Sequence, residues 1–237
     1  MKAFVLAGGL GTRLRPRFGD LPKALAPLAG EPFLVRQLAW LAAHAIRDVV
    51  ICAGYGADQL RAALGDGRAA GVRLEYSVEE EPLGTAGALA HAARFVDGPA
   101  LVVNGDTLAA CDPWALERAR WERGAFGAVA LFRVADAASR GRVETDGDGR
   151  IVRFVEKDAA FSGPAWVNGG VYAFAPALWR RIPPRDPDAR ARAVSLEREV
   201  LPALASEGRL VAHPFPGEFH DIGTPEEWER AERRYSA

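Results

Sequence analysis

The apolar run Phe4-Val5-Leu6-Ala7 breaks at once into Gly8-Gly9-Leu10-Gly11-Thr12-Arg13, with Arg15 and Lys23 close behind. Glycines let the backbone take positive φ and approach a ligand, so successive N–H groups can point at phosphate oxygens while Arg13 supplies full charge. The chemistry suited to this arrangement is a phosphate grip at the end of a strand. Two well-known glycine loops do not fit. A Walker loop wants Lys-Ser/Thr after its last glycine, where Thr12-Arg13 stand, and a dinucleotide fingerprint wants glycine at the position of Leu14.

Further along, Lys23 follows Pro22, which stiffens the backbone that presents the ammonium. Beside the glycine loop, Arg13 and Lys23 are placed to flank one triphosphate and offset charge building on its α-phosphorus. Asp106, in Asn104-Gly105-Asp106-Thr107, comes directly after the apolar run Ala100–Val103. In a parallel sheet, ligands gather outside the carboxyl ends of the strands. A carboxylate there is a hard oxygen ligand suited to Mg²⁺ shared with substrate phosphates, the plainer alternative being a turn aspartate. Asp221, in His220-Asp221-Ile222-Gly223, is a second carboxylate on a rigid support. Thr224-Pro225-Glu226-Glu227 after it carries a hydroxyl cap, a first-turn proline and a glutamate three residues past the cap. Sequence alone leaves open whether Asp221 meets Asp106.

The acidic bend Glu79-Glu80-Glu81-Pro82 leads into Leu83-Gly84-Thr85-Ala86-Gly87. A solvated charge run is one reading. The functional one sets a single carboxylate, Glu80 or Glu81, against a nucleobase while the Gly84 backbone packs under the ring. Guanine offers adjacent N1–H and N2–H₂ donors that one carboxylate accepts together, whereas uracil and thymine offer one ring N–H flanked by carbonyls, so the carboxylate favours GTP. His44, His91, His213 and His220 show no metal spacing and no pairing with a Ser or Cys nucleophile.

These residues need a frame that brings strand ends together. Short β-like runs, Ala3–Ala7, Asp48–Ala53, Val72–Ser77 and Ala100–Asn104, alternate with helical ones marked by Phe33, Leu34, Leu38 and Leu41, by Leu60, Ala63 and Leu64, and by Gly84–Arg94. That rhythm predicts parallel strands with crossover helices. After about Gly124 the chain turns richer in strands: Ala128–Val134, Arg142–Thr145, Ile151–Glu156 and Val167–Phe174, with Asp146-Gly147-Asp148-Gly149 as a hairpin turn. Pro183–Arg192 reads as an exposed loop and Leu196–Leu204 as a helix.

With 237 residues, the chain is the size of one large α/β domain. Its 30 basic and 31 acidic residues give a net charge of −1, so no global field would recruit nucleic acid or an anionic membrane. Cys52 and Cys111 fit free thiols in a reducing compartment, and the few apolar residues after Lys2 fall short of a signal peptide or membrane span. A cytoplasmic protein is the expectation.

Taken in order, Leu6-Ala7-Gly8-Gly9-Leu10-Gly11-Thr12-Arg13-Leu14 with Pro22-Lys23, Gly84-Thr85-Ala86-Gly87, Asn104-Gly105-Asp106, Glu156-Lys157, Asn168-Gly169-Gly170 and Asp221-Ile222-Gly223-Thr224-Pro225 span nearly the whole chain. Together they resemble the sugar-1-phosphate nucleotidylyltransferases, also called nucleotide-sugar pyrophosphorylases. The resemblance implies one domain over 1–237 with a GT-A-like (Rossmann-like) α/β fold: a mixed, mostly parallel sheet flanked by helices, with a small β-rich sugar-binding portion. The nucleotide-binding portion would cover about 1–123 and the sugar-binding and C-terminal portion about 124–237.

The same resemblance implies roles for individual residues. Arg13, Lys23 and Asp106 would be catalytic. Leu6, Ala7, Gly8, Gly9, Gly11, Thr12 and Arg13 would hold the nucleotide, together with Glu80, Glu81, Pro82, Gly84, Thr85, Asn104 and Gly105. Gly141, Glu156, Asn168 and Gly169 would bind the sugar, Lys157 would pair with its phosphate, and Asp106 with Asp221 would hold Mg²⁺. The partners implied are an NTP, GTP in the first place, and a sugar 1-phosphate, with no nucleic acid and no membrane; homo-oligomer formation stays open.

The implied reaction agrees with the lack of a nucleophilic triad. A sugar 1-phosphate is already an anionic nucleophile, so in-line attack on the α-phosphorus needs alignment and cations more than a base. Glu-Pro-Leu-Gly-Thr-Ala-Gly looks like the guanylyl branch. Within it, Asp20-Leu21-Pro22-Lys23, the Gly141–Asp146 strand, Asn168-Gly169-Gly170-Val171-Tyr172 and the short length are most similar to the D-glycero-D-manno-heptose 1-phosphate guanylyltransferases. Alternatives are a mannose 1-phosphate guanylyltransferase, an N-acetylmuramate 1-phosphate uridylyltransferase and, from another class, a silent regulatory paralogue that binds nucleotide sugar. Arg140 departs from the pattern, standing before Gly141 where relatives often carry tyrosine, which implies a different hold on the sugar or its phosphate.

Overall fold

Apolar runs too short for helices become buried strands, and the amphipathic segments between them cover the sheet. The computed structural model describes residues 1–137, 140–156, 158, 160–182 and 192–236. In chain order the strands are β1 (Lys2–Leu6), β2 (Pro27–Leu28), β3 (Glu31–Pro32), β4 (Asp48–Ala53), β5 (Arg73–Val78), β6 (Ala100–Asn104), β7 (Thr107–Ala109), β8 (Gly127–Val134), β9 (Arg142–Thr145), β10 (Ile151–Val155), β11 (Ala165–Phe174), β12 (Leu210–Phe215) and β13 (Phe219–Asp221). The helices are α1 (Arg15–Phe18), α2 (Phe33–Ala43), α3 (Ala57–Leu64), α4 (Gly84–His91), α5 (Pro113–Glu122), α6 (Leu201–Ser206) and α7 (Pro225–Tyr235).

Nine strands form one mixed sheet in the order β10-β9-β11-β6-β1-β4-β5, with β8 pairing β11 and β12 pairing β8. Strand β1 lies between β4 and β6 and parallel to both, with Leu6 opposite Cys52 on one side and Asn104 on the other. The loops leaving β1 and β6 therefore emerge side by side. Strand β11 runs antiparallel to β6 and β8, and its register with β8 shifts between Asn168 and Tyr172. Alternation along β1 sends Ala3 and Val5 into a core shared with Leu38 of α2 and Leu60 of α3, and Phe4 into a second core with Leu89 of α4 and Leu204 of α6. A third cluster, Leu14, Leu28, Phe33, Leu108, Ile222 and Trp228, clamps the segment after the glycine loop against β7 and α7.

Several elements differ from the sequence reading. The helix over Gly84–Arg94 ends at His91 and continues as a 3₁₀ turn, Ala93–Phe95. The Leu196–Leu204 stretch opens as a turn of π-helix, Leu196–Val200, before α6. Pro202 has no N–H to give Arg198, so the ordinary helical ladder is interrupted there. Helix α5 and strand β12 carried little signal. The buried face of α5 includes Arg120, satisfied by Glu117 at 2.6 Å, and β12 contains Pro214, tolerated in a strand paired to β8. The loop read over Pro183–Arg192 lies, apart from Arg192, outside the described residues. Both cysteines are buried free thiols, and burial pushes each up to about 12.

Candidate active site

The two loops at the ends of β1 and β6 are locked together by backbone contacts. Gly105 donates its N–H to the Leu6 carbonyl at 2.9 Å, and a Cβ at Gly105 would lie 2.7 Å from that same oxygen, so only glycine fits. The fully buried Gln37 donates its amide to the Asn104 and Thr107 carbonyls at 2.9 and 2.6 Å, fixing the backbone on both sides of Asp106. On the other loop, Gly11 turns at φ 60°, where a Cβ would lie 3.1 Å from Lys23 Cβ. The glycine loop thereby folds back onto Lys23, whose ammonium donates to Asp106 Oδ2.

A cavity of about 280 Å³ opens at this junction. Of the residues read as nucleotide-binding, Leu6, Ala7, Gly8, Gly9, Pro82, Gly84, Thr85, Asn104 and Gly105 line it, joined by Lys23 and Asp106. Gly11, Thr12 and Arg13 do not. Gly11 shapes the turn, Thr12 is exposed, and Arg13 reaches the other way, its Nη2 3.4 Å from where a Gly223 Cβ would stand. Glu80 and Glu81 are exposed and lie outside the lining as well; of the three glutamates, Glu79 is the one that lines the cavity. The reason is register. The Glu79 N–H continues the ladder by donating to the Ala53 carbonyl at 2.9 Å, so Glu79 still obeys strand geometry while its two neighbours follow the bend. Burial pushes the Glu79 carboxyl up, and the Leu83 N–H, which donates to Oε2 at 3.3 Å, pulls it partly back.

Gly141, Glu156 and Asn168 line a second cleft of about 490 Å³, joined by Arg140, Glu197 and Arg198. Gly169 instead faces the core, where a Cβ would lie 2.4 Å from the Phe132 ring. Lys157 lies outside the described residues. Asn168 is oriented by donating to the Tyr172 hydroxyl and accepting from the Gly170 N–H, both at 2.9 Å. Sequence reasoning missed Glu197, which accepts from the Thr85 hydroxyl at 2.7 Å and so joins the wall of the first cavity to the second. The Ser195 cap of the π-helical turn, accepting from the Arg198 N–H at 3.2 Å, was the one available signal for it. A larger groove of about 850 Å³ beside Gly147–Arg150 contains none of the candidate residues.

The backbone brings Asp221 alongside Asp106. Strand β13 pairs antiparallel with β7, Asp221 opposite Thr107, and the Ile222 N–H donates to the Asp106 carbonyl at 2.9 Å. Asp221 Oδ1 accepts the Gly223 N–H at 3.0 Å, and Oδ2 accepts Arg140 Nη1 at 2.9 Å. Arg140 Nη2 also donates to Glu227 Oε1 at 3.0 Å. Burial pushes Asp221 up, but hydrogen bonds from Glu227, Gly223 and Arg140 more than reverse this and hold it below the ordinary carboxylate range. Glu227 is pushed up to about 7 by burial and by the Asp221 charge beside it. Among the described residues no three His, Cys, Asp or Glu side chains cluster as a metal cage. A pair of aspartates on neighbouring backbone segments suits Mg²⁺ better than a cage would, because that ion keeps waters and shares substrate phosphates. The donor set fits.

A glycine loop at the ends of two parallel strands, the cavity beside it and the adjoining cleft together form the candidate site of an α/β protein. The Nucleotidyl transferase family model matches residues 2–237, and the chain belongs to that family. Among curated relatives, the mannose-1-phosphate guanylyltransferase of Mycobacterium tuberculosis is 38% identical over 232 residues, and the mannose-1-phosphate guanylyltransferase catalytic subunit beta of Danio rerio is 36% identical over 235 residues. Each alignment covers 96% of this chain and 62% of the relative, so the chain spans less than two thirds of their length. Among solved structures, HddC from Yersinia pseudotuberculosis superposes with a TM-score of 0.84 at 27% identity over 99% of both chains, and it has also been solved in complex with GMP-PN. A putative glucose-1-phosphate thymidylyltransferase from Bacillus anthracis shares the fold, with a TM-score of 0.87 at 24% identity over 100% of this chain and 95% of that one.

Proposed function

We propose that this chain transfers a guanylyl group from GTP to a manno-configured sugar 1-phosphate, releasing pyrophosphate and forming a GDP-sugar. The observation that carries the reading is the meeting of the glycine loop, Lys23 and Asp106 at one cavity, tied through Glu197 to the cleft of Gly141, Glu156 and Asn168. Gly8, Gly9 and their neighbours hold the triphosphate, and Lys23 offsets charge on the α-phosphorus as the sugar phosphate oxygen forms its bond and the bond to pyrophosphate breaks. Asp106 and Asp221 would hold Mg²⁺, which when bound neutralises phosphate charge and improves the leaving group. Glu79 takes the base-reading role, since it is the one of the three successive glutamates that lines the cavity.

For the sugar, D-glycero-D-manno-heptose 1-phosphate is the first reading, on the motif resemblance. Mannose 1-phosphate is the second, favoured by the names of the curated relatives. Removing one preorganised charge-stabilising group costs about 10² to 10³ in rate. Lys23→Ala and Asp106→Asn should therefore each lose at least about 10²-fold in turnover while keeping the unfolding midpoint of a folded protein. Near-normal turnover in either variant would remove that residue from the machinery.

A further inference from the structure

Arg140 stands between two sites. It lines the cleft of Glu156 and Asn168, and it also lines a separate basic cleft of about 1050 Å³ that contains Arg13 and Glu227. Its guanidinium spans Asp221 Oδ2 at 2.9 Å and Glu227 Oε1 at 3.0 Å, and lies 5.0 Å from the centre of the Phe219 ring. With the Gly223 N–H on Oδ1 at 3.0 Å, both oxygens of Asp221 already have a donor. A guanidinium on the coordinating oxygen and a divalent cation exclude one another, by direct occupation and by like charge.

We propose that Arg140 is a shared counter-ion: it closes Asp221 in the unliganded chain, and metal binding frees it to take the sugar 1-phosphate in the cleft it already lines. The inference rests on the metal reading of Asp106 and Asp221 and adds a competitor for it. Metal and sugar phosphate then bind with positive coupling, because each favours the same position of one side chain. Arg140 is thus a positioning residue for the metal and a binding residue for the second substrate.

The test is a titration with Mn²⁺ alone, followed by water-proton relaxation, on the wild-type chain, Arg140→Met, Arg140→Lys and Asp221→Asn, each checked by thermal unfolding. Arg140→Met is expected to bind Mn²⁺ about tenfold tighter than wild type, the scale of losing one charge-assisted contact, while Arg140→Lys stays near wild type. Arg140→Gln replaces the Met variant if that one does not fold. In turnover, Arg140→Met raises the KM for the sugar 1-phosphate with the nucleotide KM unchanged. Equal or weaker Mn²⁺ affinity in Arg140→Met, or an unchanged sugar-phosphate KM, overturns the proposal. If Asp221→Asn abolishes Mn²⁺ binding and Arg140→Met leaves it unaltered, only the counter-ion role falls. If Asp221→Asn leaves binding unaltered, or no chain binds Mn²⁺, the metal reading falls and the inference with it.

Discussion

Replacing Glu79 by glutamine tests base selection with minimal disturbance of shape. Glu79 Oε2 is anchored by the Leu83 N–H at 3.3 Å, and Oε1 lies 2.8 Å from the position a Gly8 Cβ would take, so the carboxylate is steered toward the cavity floor by a backbone donor and a close glycine. Glutamine keeps the size but exchanges one acceptor for a donor, which meets the guanine N1–H and N2–H₂ with a mismatch. One bidentate base contact is worth about 1 to 3 kcal/mol of discrimination, so the ratio of kcat/KM for GTP over UTP should fall by about 5- to 150-fold. Pyrophosphate release at subsaturating nucleotide measures that ratio directly. Glu80→Gln and Glu81→Gln, both at exposed positions, should leave it within about twofold. An unchanged ratio in Glu79→Gln, or the same fall in either neighbour, would show that Glu79 does not read the base.

Two other outcomes follow from the same geometry. Because burial raises the Glu79 carboxyl above its ordinary 4.5, its protonated form stabilises the unliganded fold; this contribution is full below 4.5 and is lost as pH rises through the raised value. Unfolding midpoints of wild type and Glu79→Gln measured across that window should diverge in slope, with parallel curves counting against the buried carboxylate, and GTP affinity should fall as pH drops through the same window. Gly105→Ala drives a Cβ to within 2.7 Å of the Leu6 carbonyl and should cost about 1 to 3 kcal/mol by denaturant unfolding. Gly9→Ala meets nothing within 4 Å and should stay within about 0.5 kcal/mol; equal losses in the two would show that close packing of the β1 and β6 loops is not the cause.

What the sequence made legible was whatever depends on local pattern. The apolar runs of β1, β4 and β6 announced buried parallel strands, and their carboxyl ends placed the glycine loop and Asp106 on one edge. The capped start of α7 marked Asp221 as rigidly held, but its approach to Asp106 depends on the β7–β13 pairing, whose three-residue strands carry almost no signal. Which glutamate lines the cavity was not legible: three successive glutamates look alike until the Glu79 N–H is seen bonded to the Ala53 carbonyl beyond the end of β5. Gln37 escaped notice because its work is done on two backbone carbonyls about 70 residues away, and the ion pairs of Arg140 to Asp221 and Glu227 likewise join positions far apart in the chain.

The most direct measurement is pyrophosphate release from ATP, GTP, CTP and UTP, each paired with mannose, glucose, D-glycero-D-manno-heptose and N-acetylmuramate 1-phosphates in the presence of Mg²⁺. Release should be fastest with GTP and a manno-configured sugar 1-phosphate. Fastest release with UTP, or silence across every pairing while nucleotide sugar still binds, would rule out guanylyl transfer by this chain.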